Sequence, residues 1–144
     1  MRALLELAAA REAGALVKAE HLAHAQQVPS KFLGAILRDL REQGLIESRR
    51  GADGGYRLAR PADEITVADI VRALDGPLAA VRDERPEHLA YEGAALHLRE
   101  VWVASRVAIR DVLEHVTLAD IVRGTLPPAV RARLEAPGAW QRRS

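Results

Sequence analysis

The chain has 144 residues, 21 basic and 20 acidic side chains and a formal net charge of +1, enough for one domain with a real core and too balanced for charge alone to name a polyanionic partner. With no cysteine, disulfides, thiolate zinc sites, cysteine nucleophiles and cysteine-ligated iron–sulfur clusters are excluded. Apolar residues reach 49% but aromatics only 3%, so the core must be aliphatic, a mix that suits helices.

"MRALLELAAAREAG" (1–14) reads as a helix, with Leu4, Leu7, Ala8 and Arg11 on one face, Leu5 widening it and Gly14 as its stop. The pattern is already running at Met1, so the chain is expected to begin inside a helix. "KAEHLAHAQQ" (18–27) predicts a short helix with Leu22 and Ala25 inward, and with Ala19 and Ala23 permitting close approach. "VPSKFLGAILRDLREQG" (28–44) predicts a stronger one. Pro29 suits the first turn, Leu33, Ile36, Leu37 and Leu40 fall at i, i+3, i+4 and i+7, Phe32 adds bulk beside them, and Gly44 ends it. Its opposite face carries Lys31, Gly34, Ala35, Arg38 and Arg41. Two helices joined by a few residues, the second with a basic face, match a helix-turn-helix.

Next, Leu45–Ile46 and Tyr56–Leu58 predict two strands, with Gly51, Gly54 and Gly55 between them where positive φ is cheapest. "EITVADIVRALDGP" (64–77) predicts a helix capped by Thr66 and Asp69, with Val67, Ile70, Val71 and Leu74 inward and Gly76–Pro77 as its end. Residues 78–93 are charged, contain Pro86 and Gly93, and read as a linker. Residues 94–116 predict the longest helix. One stripe holds Leu98, Val101, Trp102, Ser105, Ile109, Val112, Leu113 and Val116, and a second holds Leu96, Val103 and Val107. A helix apolar on two sides must be buried on two sides. The second side meets either another subunit or the C-terminal helices of the same chain. "VTLADIVRGTLPPAV" (116–130) echoes "ITVADIVRALDGPLAAV" (65–81), which reads as two Thr-capped short helices rather than a repeat architecture. Residues 135–144 read as a tail containing Trp140.

The fold class expected is mainly α with a small β-hairpin: a winged helix-turn-helix domain over 1–77, a linker over 78–93, and a long dimerisation helix with C-terminal helices over 94–134. Residues 30–60 hold seven bases against four acids, whereas 82–100 hold three against five. Basic charge therefore gathers on the third helix and the hairpin, as a nucleic-acid footprint would. The third helix would enter a major groove, and the hairpin would follow phosphates or reach the minor groove. Candidate DNA-binding residues are Ser30, Lys31 and Arg38 on the helix, and Arg49, Arg50, Gly51, Gly54, Gly55 and Arg57 on the hairpin. Glycines allow close backbone approach and arginines neutralise phosphate.

The run "LREQGLIESRRGADGGYRLARPADEITVADIVRALDGP" (40–77), with "ALLELA" (3–8) and "VTLADIV" (116–122), resembles the Rrf2 family of bacterial transcriptional regulators over roughly residues 1–125. The resemblance implies a homodimeric winged-helix protein on palindromic operators, most simply a repressor, with the long helix as dimer interface; Leu98, Trp102, Ser105, Ile109 and Val112 are its candidates. Three departures follow. Many family members hold a cluster through three cysteines in the segment equivalent to "RDERPEHLAYEGAALHL", which has none here. Glu87, His88, Glu92 and His97 match no compact metal site, so no metal and no cofactor is expected. Members that read specific bases often follow the conserved leucine with Glu-Gln, where this chain has Gly34–Ala35, leaving readout to Ser30, Lys31 and Arg38. Members also usually carry further residues before "ALLELA".

The glycines make neither G-x-G-x-x-G nor a P-loop, His21 and His24 read as surface histidines, and no nucleophile–base pair is suggested, so no enzyme is expected. The alternative is a ligand- or protein-sensing adaptor without tight DNA binding. It would respond to a small-molecule effector or partner enzyme, with Tyr91 and Trp102 as candidate ligand-binding residues. No run reaches the roughly 20 apolar residues of a membrane span, and the start lacks the stretch and cleavage site of a signal peptide. No membrane partner and a cytoplasmic protein are therefore expected.

Overall fold

The computed structural model describes residues 1–12, 15–79 and 84–141, except for the side chains of Arg11 and Glu12. The expected stop at Gly14 and the inward placement of Arg11 lie outside the described residues. Three helices open the chain: α1 (Arg2–Glu12), α2 (Ala19–Gln26) and α3 (Ser30–Glu42). Leu4, Leu7, Leu22, Leu33, Leu37 and Leu40 meet in one aliphatic core. Two of these helices end the same way. After α3, the Gly44 N–H reaches the Arg41 carbonyl and the Leu45 N–H the Leu40 carbonyl, at 3.0 and 2.9 Å, with Gly44 at φ 68°; this is a Schellman stop. After α2 the same pair of bonds closes on His24 and Ala23 at 3.1 and 3.0 Å, with Gln27 in the left-handed position at φ 52°. That stop turns the chain between the two helices of the helix-turn-helix.

Strands β1 (Ile46–Arg49) and β2 (Gly55–Leu58) pair antiparallel, with Ile46 opposite Leu58 and Glu47 opposite Arg57. A third backbone segment joins them. Val17 bridges Tyr56, with the Val17 N–H donating to the Tyr56 carbonyl at 3.0 Å and the Tyr56 N–H to the Val17 carbonyl at 2.8 Å. A helix-turn-helix followed by a strand pair tied back to the α1–α2 connection is a winged helix.

Helix α4 (Val67–Asp75) carries the expected capping box: the Asp69 N–H donates to Thr66 Oγ1, and the Thr66 N–H donates to the Asp69 carboxylate, both at 3.1 Å. Short 3-10 turns at Pro86–His88 and Gly93–Ala95 lead into α5 (Leu98–Leu113), then α6 (Leu118–Arg123) and α7 (Pro128–Leu134). Thr117 and Asp120 repeat the capping box on α6. The two echoing segments also touch. Thr66 and Thr117 form an antiparallel bridge, with the Val67 N–H donating to the Val116 carbonyl at 2.9 Å and the Leu118 N–H to the Ile65 carbonyl at 3.0 Å. Helix α6 packs on α1, and Leu118 enters the same core as Leu4 and Leu33. After its longest helix the chain therefore returns to the winged-helix unit.

Several expectations need correction. Ala25 is exposed; Ala23 and Gln26 are buried in its place, with the Gln26 amide donating to Glu6 at 2.8 Å. Phe32 is 63% exposed and Leu74 41% exposed, so neither belongs to the core. The long helix starts at Leu98 rather than 94, because a 3-10 turn with Gly93 at φ 59° precedes it.

Candidate nucleic-acid interface

Helix α3 buries Leu33, Leu37 and Leu40 and half-buries Ile36. The opposite face therefore points outward: Ser30, Lys31, Gly34, Ala35, Arg38 and Arg41 are all exposed. Ser30 and Lys31 lie at its first turn, where a groove-inserted helix presents side chains to base edges. Phe32 stands beside them, and the residues with no hydrogen-bonding side chain, Gly34 and Ala35, follow. Arg38 is held along the helix surface by Asp39 at 3.5 Å and Glu42 at 4.0 Å.

The wing places its residues in two groups. Arg49, Arg50 and Gly51 are exposed at the tip, and Gly51 takes φ 108°, a conformation that favours glycine. Gly54 and Gly55 are half-buried and do not adopt positive φ. A Cβ on Gly54 would stand 2.2 Å from the Arg49 carbonyl oxygen, and one on Gly55 would stand 2.8 Å from that of Val17. Their small size lets the wing fold onto itself and onto the α1–α2 connection. Arg57 differs from the other wing arginines. Directly across the strand pair from Glu47, it donates through Nε at 3.0 Å and through a terminal nitrogen at 2.8 Å.

Between these elements lies an open cleft of about 430 Å³, lined by Lys18 and Glu20 of the α2 start, Arg41 of α3, and Ser48, Arg49, Arg50 and Gly51 of the wing. Lys18, Arg41, Arg49 and Arg50 have no ion-pair partner among the described residues. Four uncompensated cations thus face one carboxylate. Neither Lys18 nor Arg41 is among the site residues expected from the sequence. Arg41 carried a legible signal on the basic face of α3, whereas Lys18 is brought in by the Val17–Tyr56 bridge, which no local pattern announces.

Away from the wing, α5 has no fully buried residue. Leu98, Trp102 and Val112 are half-buried, while Val101, Ser105, Val107 and Ile109 are exposed. Tyr91 is also half-buried. The cleft that opens beside α5 is lined by Arg72, Arg85, Glu87, Arg106 and Arg110 among others, and neither Tyr91 nor Trp102 lines it.

A helix-turn-helix with a cation-rich wing defines a winged-helix DNA-binding regulator. The chain belongs to the Rrf2 family, described as an iron-dependent transcriptional regulator, whose pattern matches residues 1–124. The protein Rv1287 of Mycobacterium tuberculosis is 48% identical over 130 residues, which cover 90% of this chain and 80% of that one. The HTH-type transcriptional regulator CymR of Bacillus subtilis is 36% identical over 72% of this chain and 70% of its own. The solved structure of CymR, titled the global cysteine regulator of B. subtilis, aligns with TM-score 0.69 and 34% identity over 85% of this chain and 88% of that chain. That of T. potens IscR aligns with TM-score 0.67 and 31% identity over 85% and 80%. The chain is accordingly a DNA-binding transcriptional regulator of winged-helix fold.

The family description mentions iron, and the donor set here does not fit a cysteine-ligated cluster. The chain has no cysteine, Glu87 is engaged by Arg106, and His97 Nδ1 sits 3.1 Å from Glu100. Among the described residues no three His, Asp or Glu side chains converge as a metal site, and no helix is long and apolar enough to cross a membrane.

Proposed function

We propose that the chain works in the cytoplasm, and not as an enzyme, as a homodimeric repressor on a palindromic operator, with α3 in the major groove and the wing tip on phosphates. The observation that carries this reading is the cleft gathering Lys18, Arg41, Arg49 and Arg50 without acidic partners. Unpaired cations on a concave face are what releases counterions from a duplex. The dimer reading draws support from α5, where Val101, Ser105 and Ile109 share one exposed face; pairing two copies along that helix would give the two-fold symmetry a palindrome needs.

Base readout in this proposal rests on Ser30, Lys31 and Phe32. An exposed aromatic ring in the first turn of a recognition helix is suited to apolar contact with a thymine methyl group. It compensates for Gly34 and Ala35, which offer no donors. Selection of bound fragments from genomic DNA, followed by anisotropy titrations across salt concentrations, tests the reading. Arg49→Ala and Arg50→Ala should each flatten the slope of log affinity against log salt by about 0.9. Arg57→Ala should change it less, because Glu47 already neutralises that charge. Wild-type slopes in both wing-tip variants on several duplexes would overturn the assignment. An absence of enriched fragments would favour the adaptor reading, in which the fold senses a ligand or partner without tight DNA binding.

A further inference from the structure

We infer that the open cleft of about 450 Å³ between the end of α4, the 85–87 segment and α5 is a binding site for a small organic dianion, bearing either two carboxylates or one phosphate monoester. The cleft is lined by four guanidinium groups, from Arg72, Arg85, Arg106 and Arg110, on three separate parts of the chain. The acids that meet them are Glu87, which takes Arg106, and Glu114, whose single carboxylate is shared by Arg72 and Arg110. Among the described residues, four positive charges meet two negative ones.

Two features make this more than a solvated surface lattice. The Arg85 guanidinium has no ion-pair or hydrogen-bond partner among the described residues. Arg106 has only 18% of its side chain exposed, yet its Nε is buried without a hydrogen-bond partner. A buried guanidinium nitrogen left unpaired is costly, and a turn of the Arg106 fork toward the cleft would let an incoming carboxylate or phosphate oxygen satisfy it. The forked geometry of arginine suits both acceptor groups, because each offers two coplanar or near-coplanar oxygens. The floor is partly apolar, with Pro77 and the buried Leu78 beside Gly76. This leaves room for the carbon skeleton of a metabolite, and the volume falls within the range of small-ligand pockets, about 300–1,000 Å³.

The site lies apart from the wing cleft, and the inference does not depend on the DNA-binding reading. Isothermal titration calorimetry on the full chain at constant ionic strength tests it with two probes, succinate and inorganic phosphate, and with acetate and glycerol as a monoanionic and a neutral control. The expected result is saturable binding of at least one dianion, one per chain, with acetate at least about tenfold weaker and glycerol silent. The relative affinity for succinate and phosphate tells the two acceptor chemistries apart. Arg85→Gln, which breaks no side-chain pair among the described residues, and Arg106→Gln should each weaken that binding by about tenfold or more, the loss of one charge-assisted fork. Arg85→Gln should keep the wild-type unfolding midpoint, so its result stands even if Arg106→Gln is destabilised. Absence of saturable binding of both dianions, or an unchanged affinity in Arg85→Gln, would overturn the inference.

Discussion

Gly54 and Gly55 show what a glycine-rich wing demands of single residues. The sequence suggests glycine for positive φ across the whole loop, but only Gly51 among the three uses it. The other two are pinned by their own neighbours, at 2.2 Å from Arg49 oxygen and 2.8 Å from Val17 oxygen for a hypothetical Cβ. Gly55→Ala should therefore lower stability by about 1–3 kcal/mol, as overpacking does, read from chemical unfolding. Gly34 sits inside α3 with open space around it, so Gly34→Ala should raise stability by about 0.5–1 kcal/mol. Glu114 provides a pH-sensitive contact at the same scale. The Arg110 hydrogen bond first, then that of Arg72, holds its carboxyl below its ordinary value of 4.5. A depressed folded value means that the contribution is complete above the unfolded value and is lost as pH falls through the folded one. The tie from α4 to α5 should thus hold across neutral pH and weaken only in acid. Glu114→Gln should flatten the acid limb of the unfolding midpoint measured against pH.

At the level of elements, the most readable pieces were those with a strong local period. In α3, the leucines at i, i+4 and i+7 could only face one way, and the basic face followed by elimination. The Thr-Asp caps of α4 and α6 were equally plain, because a capping box is written within four residues. Short or terminal turns were less legible. In α2, only eight residues long, a rotation of about one residue, or 100°, exchanges Ala25 for Ala23 and Gln26 without spoiling the pattern. Phe32 suggests added bulk beside the leucine face, but its neighbour Leu33 already fills the buried position. The two non-local pairings, Val17 with Tyr56 and Thr66 with Thr117, have no local signature in the sequence, since Val17, Thr66 and Thr117 pair as single residues outside any strand. Thr66→Ala and Thr117→Ala should each cost about 1 kcal/mol of helix capping. Because the two residues face one another, the double mutant should depart from additivity by about 0.5 kcal/mol or more in a double-mutant cycle.

For the whole molecule, the proposed palindromic operator asks how one chain could present two half-sites to DNA. The exposed Val101 and Ile109, on one face of α5, supply an apolar patch that a second copy would cover. Val101→Glu with Ile109→Glu should shift the protein to a monomer in sedimentation experiments. The same pair should weaken operator binding much more than non-specific binding, because linked half-sites gain from effective concentration. An unaltered oligomeric state would separate α5 from self-association while leaving the wing untouched.

The return of the chain after α5 bears on the order in which the protein can be made. Leu118 belongs to the core that also holds Leu4, Leu7 and Leu33, so the winged-helix unit lacks one of its interior side chains until α6 has been synthesised. Domains commonly fold in order as they leave the ribosome, at about 5–20 residues per second; here the first helix waits for one of the last. A nascent chain paused before residue 118 carries its wing arginines on an incomplete scaffold. The full winged-helix core is therefore complete only after the long helix has been made.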